Sequence, residues 1–365
     1  MNIVNIKDTS GKLYYIGGVV RDELLGRESF DIDITYVGNA IEYCAKFGEV
    51  IRVNPDFGTI RVNVCGREVD FASTRAEVYD RKGHLPRITK IGCGLKEDVL
   101  RRDFTVNALA KSITTGEIID YTGGLDDLKN KTLRVLHDGS FIDDPTRIIR
   151  GLKFSVRFGF ELDEHTKKLQ DEYLADVNYD MCYKRVKKEL METFNLNSQE
   201  AFERFIRDGI YKLVTEKKVV LPVVNIEELI KKYPVQNVWL VYAGVLRDLS
   251  RLELTRQEKK ILDDFAVLEN SRMNNDFEIY RAFENAEPES ILLYAILKDK
   301  DRACRYLDNL RNIKIQTNGE DLQKLGIKPS PEYKKIFDAI LTAKLANPQM
   351  TGADEINIVK NYLNS

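Results

Sequence analysis

LYYIGGVVRDELLGRESFDIDITYV, residues 13–37, is the stretch on which the fold turns. LYYI has the apolar and aromatic make-up of a short strand. Gly17-Gly18 breaks it, VVRDELL has helix-forming composition, and Gly26 supplies a stop. FDIDITYV, residues 30–37, alternates polar with apolar side chains at the period of a half-buried strand. Two residues apart on such a strand, Asp31 and Asp33 project from one face. Carboxylates held side by side repel, so a pair of this kind calls for a cation. Hard oxygen donors suit Mg2+ completed by water and substrate phosphates. Alternation by itself also fits a pair on the solvent face of an edge strand. The glycine turn just upstream adds the second half of the argument. Glycines before a helix let backbone amides approach an anion, and Arg21 on the first helical turn can fork onto a triphosphate. A plain turn explains Gly-Gly alone. Phosphates held by one element and metals by the next explain both features together.

Working outward, TIRVNV and REVDFAS flank Cys65-Gly66 and read as a hairpin. That hairpin carries Asp70, which a central sheet would bring close to Asp31 and Asp33 as a third catalytic carboxylate. AKSITTGEIIDYTGG reads as a second strand pair around Gly116. Thr74 to Lys96, with its glycines, a proline and many basic residues, reads as a mobile loop. From Asp144 onward RIIRGLKFSVRF, TKKLQDEYLADV, YKRVKKELMETF and EAFERFIRDGIYKLV have helical spacing, as do DRACRYLDNLRN and PEYKKIFDAILTAKLA. The expected plan is a mixed α and β head over 1–140, a helical neck over 141–215, and a helical body and tail over 216–365.

Composition narrows the field without choosing within it. The 365 residues allow two or three packed units, and 43% apolar residues support a sizeable core. No apolar run approaches the roughly 20 residues that cross a bilayer. The amino-terminal MNIVNIKDTSGK is not built as a secretory signal, and the five cysteines are scattered without a C-x-x-C pair. A cytoplasmic protein with reduced thiols is expected. A net charge of −2 argues against bulk nucleic-acid binding and leaves room for a local basic groove. The three histidines, His84, His137 and His165, lack metal-ligand spacing.

Three further motifs stand in order behind GGVVRD and DID: RRDFTVNA at 101–108, DYTGG at 120–124 and DDPTRIIR at 143–150. Asp127-Leu128, Leu133-Arg134 and the carboxy-terminal GEDLQKLGIKPSPEY accompany them. Together they resemble the class II tRNA nucleotidyltransferase and bacterial poly(A) polymerase family over most of the chain. The resemblance implies an α+β fold: a polymerase-beta-like nucleotidyltransferase head with a small mixed sheet, followed by an all-helical neck, body and tail. It implies template-independent addition of CCA to the 3′ end of tRNA from CTP and ATP, with Mg2+ on Asp31 and Asp33. Gly17, Gly18, Arg21 and Arg102 would meet the triphosphate, with Asp103 and Asn107 near the ribose. Asp144 and Arg147, an acceptor and a forked donor, would replace a template base, and Arg150 and Lys153 would continue that contact. The neck would select the base, and the body and tail would bind tRNA.

Bland roles stand beside these. Asp103 and Asn107 suit the ends of a short helix, and Asp144 before Pro145 suits an N-cap. Arg185 and Glu189 are spaced to brace the neck helix as an i,i+4 pair. Asp143-Asp144, where many complete CCA-adding members have Glu-Asp, leaves A-only, CC-only and poly(A) activities open. So does the R-x-E-x-Y…L-P pattern of Arg75, Glu77, Tyr79, Leu85 and Pro86. A silent RNA-binding scaffold is the remaining alternative. Nothing in the sequence points to a protein partner.

Overall fold

A computed structural model describes residues 6–29 and 31–363. Residues 1–5 and Phe30, both part of the readings above, lie outside them. The chain divides into two compact units, one of residues 1–193 with 200–217 and the other of 194–199 with 218–365.

The first unit is built on a seven-stranded mixed sheet. Its strands are β1 (Leu13–Ile16), β2 (Asp33–Tyr36), β3 (Glu49–Asn54), β4 (Thr59–Val64), β5 (Arg67–Ser73), β8 (Ala110–Ser112) and β9 (Ile118–Ile119). A separate two-stranded ribbon consists of β6 (Arg75–Val78) and β7 (Arg87–Ile91). The order across the main sheet is β3-β4-β5-β2-β1-β8-β9, so β2 is central and not an edge. Only β2 and β5 run parallel among neighbours; the other pairs are antiparallel. The hairpin expected about Cys65-Gly66 is present. Both turn residues have positive φ, 52° and 85°, as a tight two-residue turn between right-twisted strands requires.

Alternation then sorts the side chains. Ile34, Ile60, Val62, Val69 and Phe71 are buried to 2% exposure or less. Arg61, Asp70 and Asp33 fall at the intervening positions, on the open face. Against the sheet pack the short helices α1 (Gly18–Leu24), α2 (Ala40–Cys44) and α3 (Leu95–Leu100). Leu95 and Val99 of α3 join Ile16, Ala108 and Ala110 in one apolar cluster.

Thr74 to Lys96 is where the structure corrects the sequence. The segment is not an irregular loop: β6 and β7 pair antiparallel, with a bulge at Ala76/Glu77, and lead into α3. Its tip is tied down at several points. Gly83 donates its backbone N–H to Asp143 and accepts one from Cys182, while Lys82 pairs with Asp143 and Arg81 with Asp180. Gly83 has φ 77° and lies so close to its neighbour that a Cβ would stand 2.9 Å from the Asp180 carbonyl.

Helices follow: α4 (Gly124–Lys129), α5 (Ser140–Asp143), α6 (Thr146–Phe158), α7 (Glu164–Ala175) and α8 (Tyr183–Phe194). In α6, Ile148, Ile149 and Leu152 face inward, and Gly159 at φ 70° closes the helix. Every regular element among the second unit's described residues is a helix, and Trp239 and Tyr242 are buried within it. Thr255 and Glu258 form a capping box for its helix Arg256–Asn270. Leu322, Ile336, Ile340 and Val359 form a second cluster nearer the carboxy terminus. No helix among the described residues is long and apolar enough to cross a membrane.

Candidate active site

Strand register assembles the site. Asp33 on β2 stands directly across from Asp70 on β5, and Asp70 stands across from Arg61 on β4. Asp31 lies two residues before Asp33, just ahead of the strand rather than within it; Ile32 still accepts the Asp70 amide, so the parallel pairing runs up to it. Neither the Asp31 nor the Asp33 carboxylate has an ion-pair or hydrogen-bond partner among the described residues. Asp70 differs: both its oxygens accept from Arg61, Nε at 2.7 Å and Nη2 at 2.6 Å.

The carboxyl of Asp33 has an edge open to solvent, yet the surrounding protein strips enough water to push its pKa above the ordinary carboxylate value. Arg102 opposes the rise, and nearby Asp70 and Asp31 reinforce it. A carboxyl whose folded pKa is raised adds stability below its unfolded pKa and loses that contribution as pH climbs through the folded value. At neutral pH, without a divalent cation, Asp33 therefore weakens the fold. Asp33→Asn is expected to melt at a higher temperature than the parent at neutral pH in chelator. The gap should close as pH falls into the carboxylate range. Thermal unfolding of both proteins at two pH values measures it, and a gap independent of pH contradicts the assignment.

On the other side of β2, the turn after β1 brings Gly17 against Arg102. Gly17 has φ 70°, which favours glycine, and a Cβ there would stand 3.1 Å from Arg102 Nη1, so the turn and the guanidinium are close neighbours. Arg102 is held by the fully buried Asp98 at 3.2 Å, while its own Nε is buried without a partner. An unsatisfied guanidinium N–H beside a glycine turn is a natural anion contact.

Arg21, Asp103 and Asn107 form a closed network instead of an open cradle. Arg21 is 4% exposed, forks onto Asp22 at 2.9 and 2.6 Å, donates to Asn107 at 2.5 Å and lies over the Phe158 ring. Asp103 accepts from Asn107 at 3.0 Å and from Arg150 at 2.8 Å. Arg150 also reaches Glu189, and Lys153 bridges Glu189 and Glu192. Although burial pushes the Asp103 carboxyl up, Arg150 and Asn107 more than offset this and hold its pKa below the usual range.

Asp144 and Arg147 face each other at 4.0 Å, but each has closer partners. Asp144 accepts from the Thr146 amide at 3.2 Å and hydroxyl at 2.6 Å, which starts α6, and its second oxygen pairs with Arg185. Arg147 donates to Ser140 at 2.7 Å and to the Arg101 carbonyl at 2.9 Å. The i,i+4 pair expected between Arg185 and Glu189 is therefore corrected: each side chain has a nearer opposite charge off its own helix.

Mg2+ fits the donors that remain. Asp33 on the central strand and Asp31 just ahead of it offer hard oxygens. Such a site leaves coordination positions for water and phosphate. Sequence reasoning did not single out Arg61 or Asp98. The turn at Cys65-Gly66 does set Arg61 opposite Asp70, and Asp98 stands one helical turn before Arg102.

The first unit thus presents a seven-stranded mixed sheet with Asp33 on its central strand and Asp31 just ahead of it. Residues 13–134 match the poly A polymerase head domain family. An A-adding tRNA nucleotidyltransferase of Geobacter sulfurreducens is 31% identical over 95% of this chain and 44% of its own length. The chain thus spans under half of that relative. An A-adding tRNA nucleotidyltransferase of Halalkalibacterium halodurans is 26% identical over 88% of this chain and 82% of its own. A solved CCA-adding enzyme, in its apo form II, aligns at TM-score 0.80 and 26% identity, covering 96% of this chain and 92% of that one. Residues 13–134 thus carry the poly A polymerase head domain, and the chain as a whole is similar to tRNA nucleotidyltransferases named A-adding or CCA-adding.

Proposed function

We propose that the chain adds nucleotides without a template to the 3′ end of tRNA, building CCA from CTP and ATP in the cytoplasm. The observation that carries this is the unpaired Asp31 and Asp33, with Asp33 in the field of Arg102, whose guanidinium lies beside the Gly17 turn and keeps a buried N–H without a partner. Asp31 and Asp33 would hold Mg2+, which when bound supplies Lewis acidity at the reacting phosphate. Arg102 and the amide of Gly18 take the departing negative charge, the Gly17 amide being spent on the Leu109 carbonyl at 3.1 Å, and Asp70 adds a third carboxylate to the same face, already neutralised by Arg61. Arg21 acts from beneath, fixing Asn107 and through it Asp103 at the ribose side. Asp144 and Arg147 read the base once their present partners, Arg185, Ser140 and the Arg101 carbonyl, give way; Arg150 and Lys153 hold the same helix face. The helical second unit offers its surface to the tRNA body through phosphates and shape, because A-form grooves show side chains little sequence.

Addition of A alone is the second reading. The names of the Geobacter and Halalkalibacterium relatives favour it, as does Asp143 where many complete enzymes have glutamate. Sequencing product ends separates the two. A transcript ending in CC should gain A from ATP under either reading. A transcript lacking all three residues should gain two C from CTP alone only if the enzyme is complete, and no addition to it from CTP overturns the first reading.

A further inference from the structure

A cavity of about 800 Å³ adjoins the candidate active site, with Asp31 and Asp70 in its lining. Arg61 and Arg67 line it as well, together with Tyr15 and Val19. Across the sheet, Arg61, Arg67 and Asp70 lie on the β4–β5 side of β2, whereas the Gly17 turn and Arg102 lie toward β1 and β8. In nucleotidyl transfer the attacking and leaving oxygens are roughly in line. A triphosphate on the β1 side therefore requires the attacking strand on the β5 side, where Arg61, Arg67 and Asp70 line the cavity.

We propose that the Asp70–Arg61 pair is a phosphate seat for the last nucleotides of the acceptor RNA, a role that rests on the proposed function. Asp70 is the anchor and Arg61 the contact. Nε and Nη2 of Arg61 are committed to Asp70, which fixes the plane of the guanidinium. Nη1 makes only a 3.3 Å contact to Glu68, and the side chain is 44% exposed. Its outward N–H groups are thus presented with their geometry already set, and a backbone phosphate replaces Glu68 without breaking the fork. Other carboxylates nearby do not forbid a polyanion. Glu23 is paired with Lys111 at 2.6 Å and Asp70 with Arg61, Asp31 is the proposed cation ligand, and Arg27 and Arg67 stand in the same lining as Glu28 and the displaced Glu68. A seat of this kind reads backbone alone, so it serves acceptor ends of any sequence.

The test compares the full-length parent with Arg61→Ala and Arg61→Lys on tRNA transcripts lacking the terminal residues. Arg61→Ala should raise the KM for RNA about five- to tenfold and leave the KM for nucleotide in place. It should also flatten the dependence of RNA affinity on salt by about one phosphate contact, a slope change of roughly 0.7 to 0.9. Arg61→Lys keeps the charge but not the fork and should fall between. Unchanged RNA KM and salt slope in Arg61→Ala, or a change confined to the nucleotide KM, overturns the seat. Should Arg61→Ala fail to fold, Arg61→Lys decides by the same two readouts. A parent that extends no RNA refutes the activity itself. A parent that extends tRNA beside an unaltered Arg61→Ala refutes only the seat.

Discussion

Asp31→Ala and Asp33→Ala are each expected to lower nucleotide incorporation by roughly a thousandfold or more, while tRNA binding persists. Charge stabilisation worth several kcal/mol is lost with either carboxylate, and each 1.36 kcal/mol is tenfold in rate. The two side chains have no described partner, so removing them leaves no buried charge stranded. Asp33→Ala should fold at least as well as the parent in the absence of divalent cation, because its carboxyl is held at a raised pKa by desolvation. Incorporation and tRNA affinity measured on the same preparations separate loss of chemistry from loss of fold. Full activity in either variant would remove the metal assignment, and loss of tRNA binding alone would return the pair to a surface role.

Asp144→Asn is expected to relax base choice. A good two-point contact to a base edge is worth about 1–3 kcal/mol, so preference for CTP and ATP over GTP and UTP should fall by roughly ten- to a hundredfold. Asparagine keeps an oxygen for the Thr146 amide and so preserves the start of α6. It loses the charge that pairs with Arg185. Single-turnover incorporation of each nucleotide is the measurement. Unchanged selectivity with a lowered melting temperature would make Asp144 a helix cap and nothing more.

These expectations rest on parts of the structure that were unequally legible. The β4–β5 hairpin was readable because Cys65-Gly66 fixes its register, and that register places Asp70. The helices after Asp144 were readable from apolar spacing and Gly159. The β6–β7 ribbon was not. Its residues are intermediate or exposed throughout, apart from its docked tip at Gly83, so no apolar alternation marks it, and a bulge interrupts what pairing rhythm exists. Its basic residues suggested mobility, but they meet carboxylates distant in sequence, Asp143 and Asp180. Arg185 and Glu189 failed for a related reason. Spacing along one helix reports who can meet, not which opposite charge lies nearer in the fold. At the site, Asp31 and Asp33 announced themselves by chemistry on a strand. The closed network of Arg21, Asp103, Asn107 and Arg150 depends on how α1, the 101–107 segment and α6 pack, which no local pattern encodes.

The most direct measurement is the mass of a tRNA transcript lacking its last three nucleotides after incubation with the protein, Mg2+, CTP and ATP. Growth by two cytidylates and one adenylate, absent when chelator replaces the cation, is the predicted result. A transcript of unchanged mass, on a protein shown to be folded, would contradict the account.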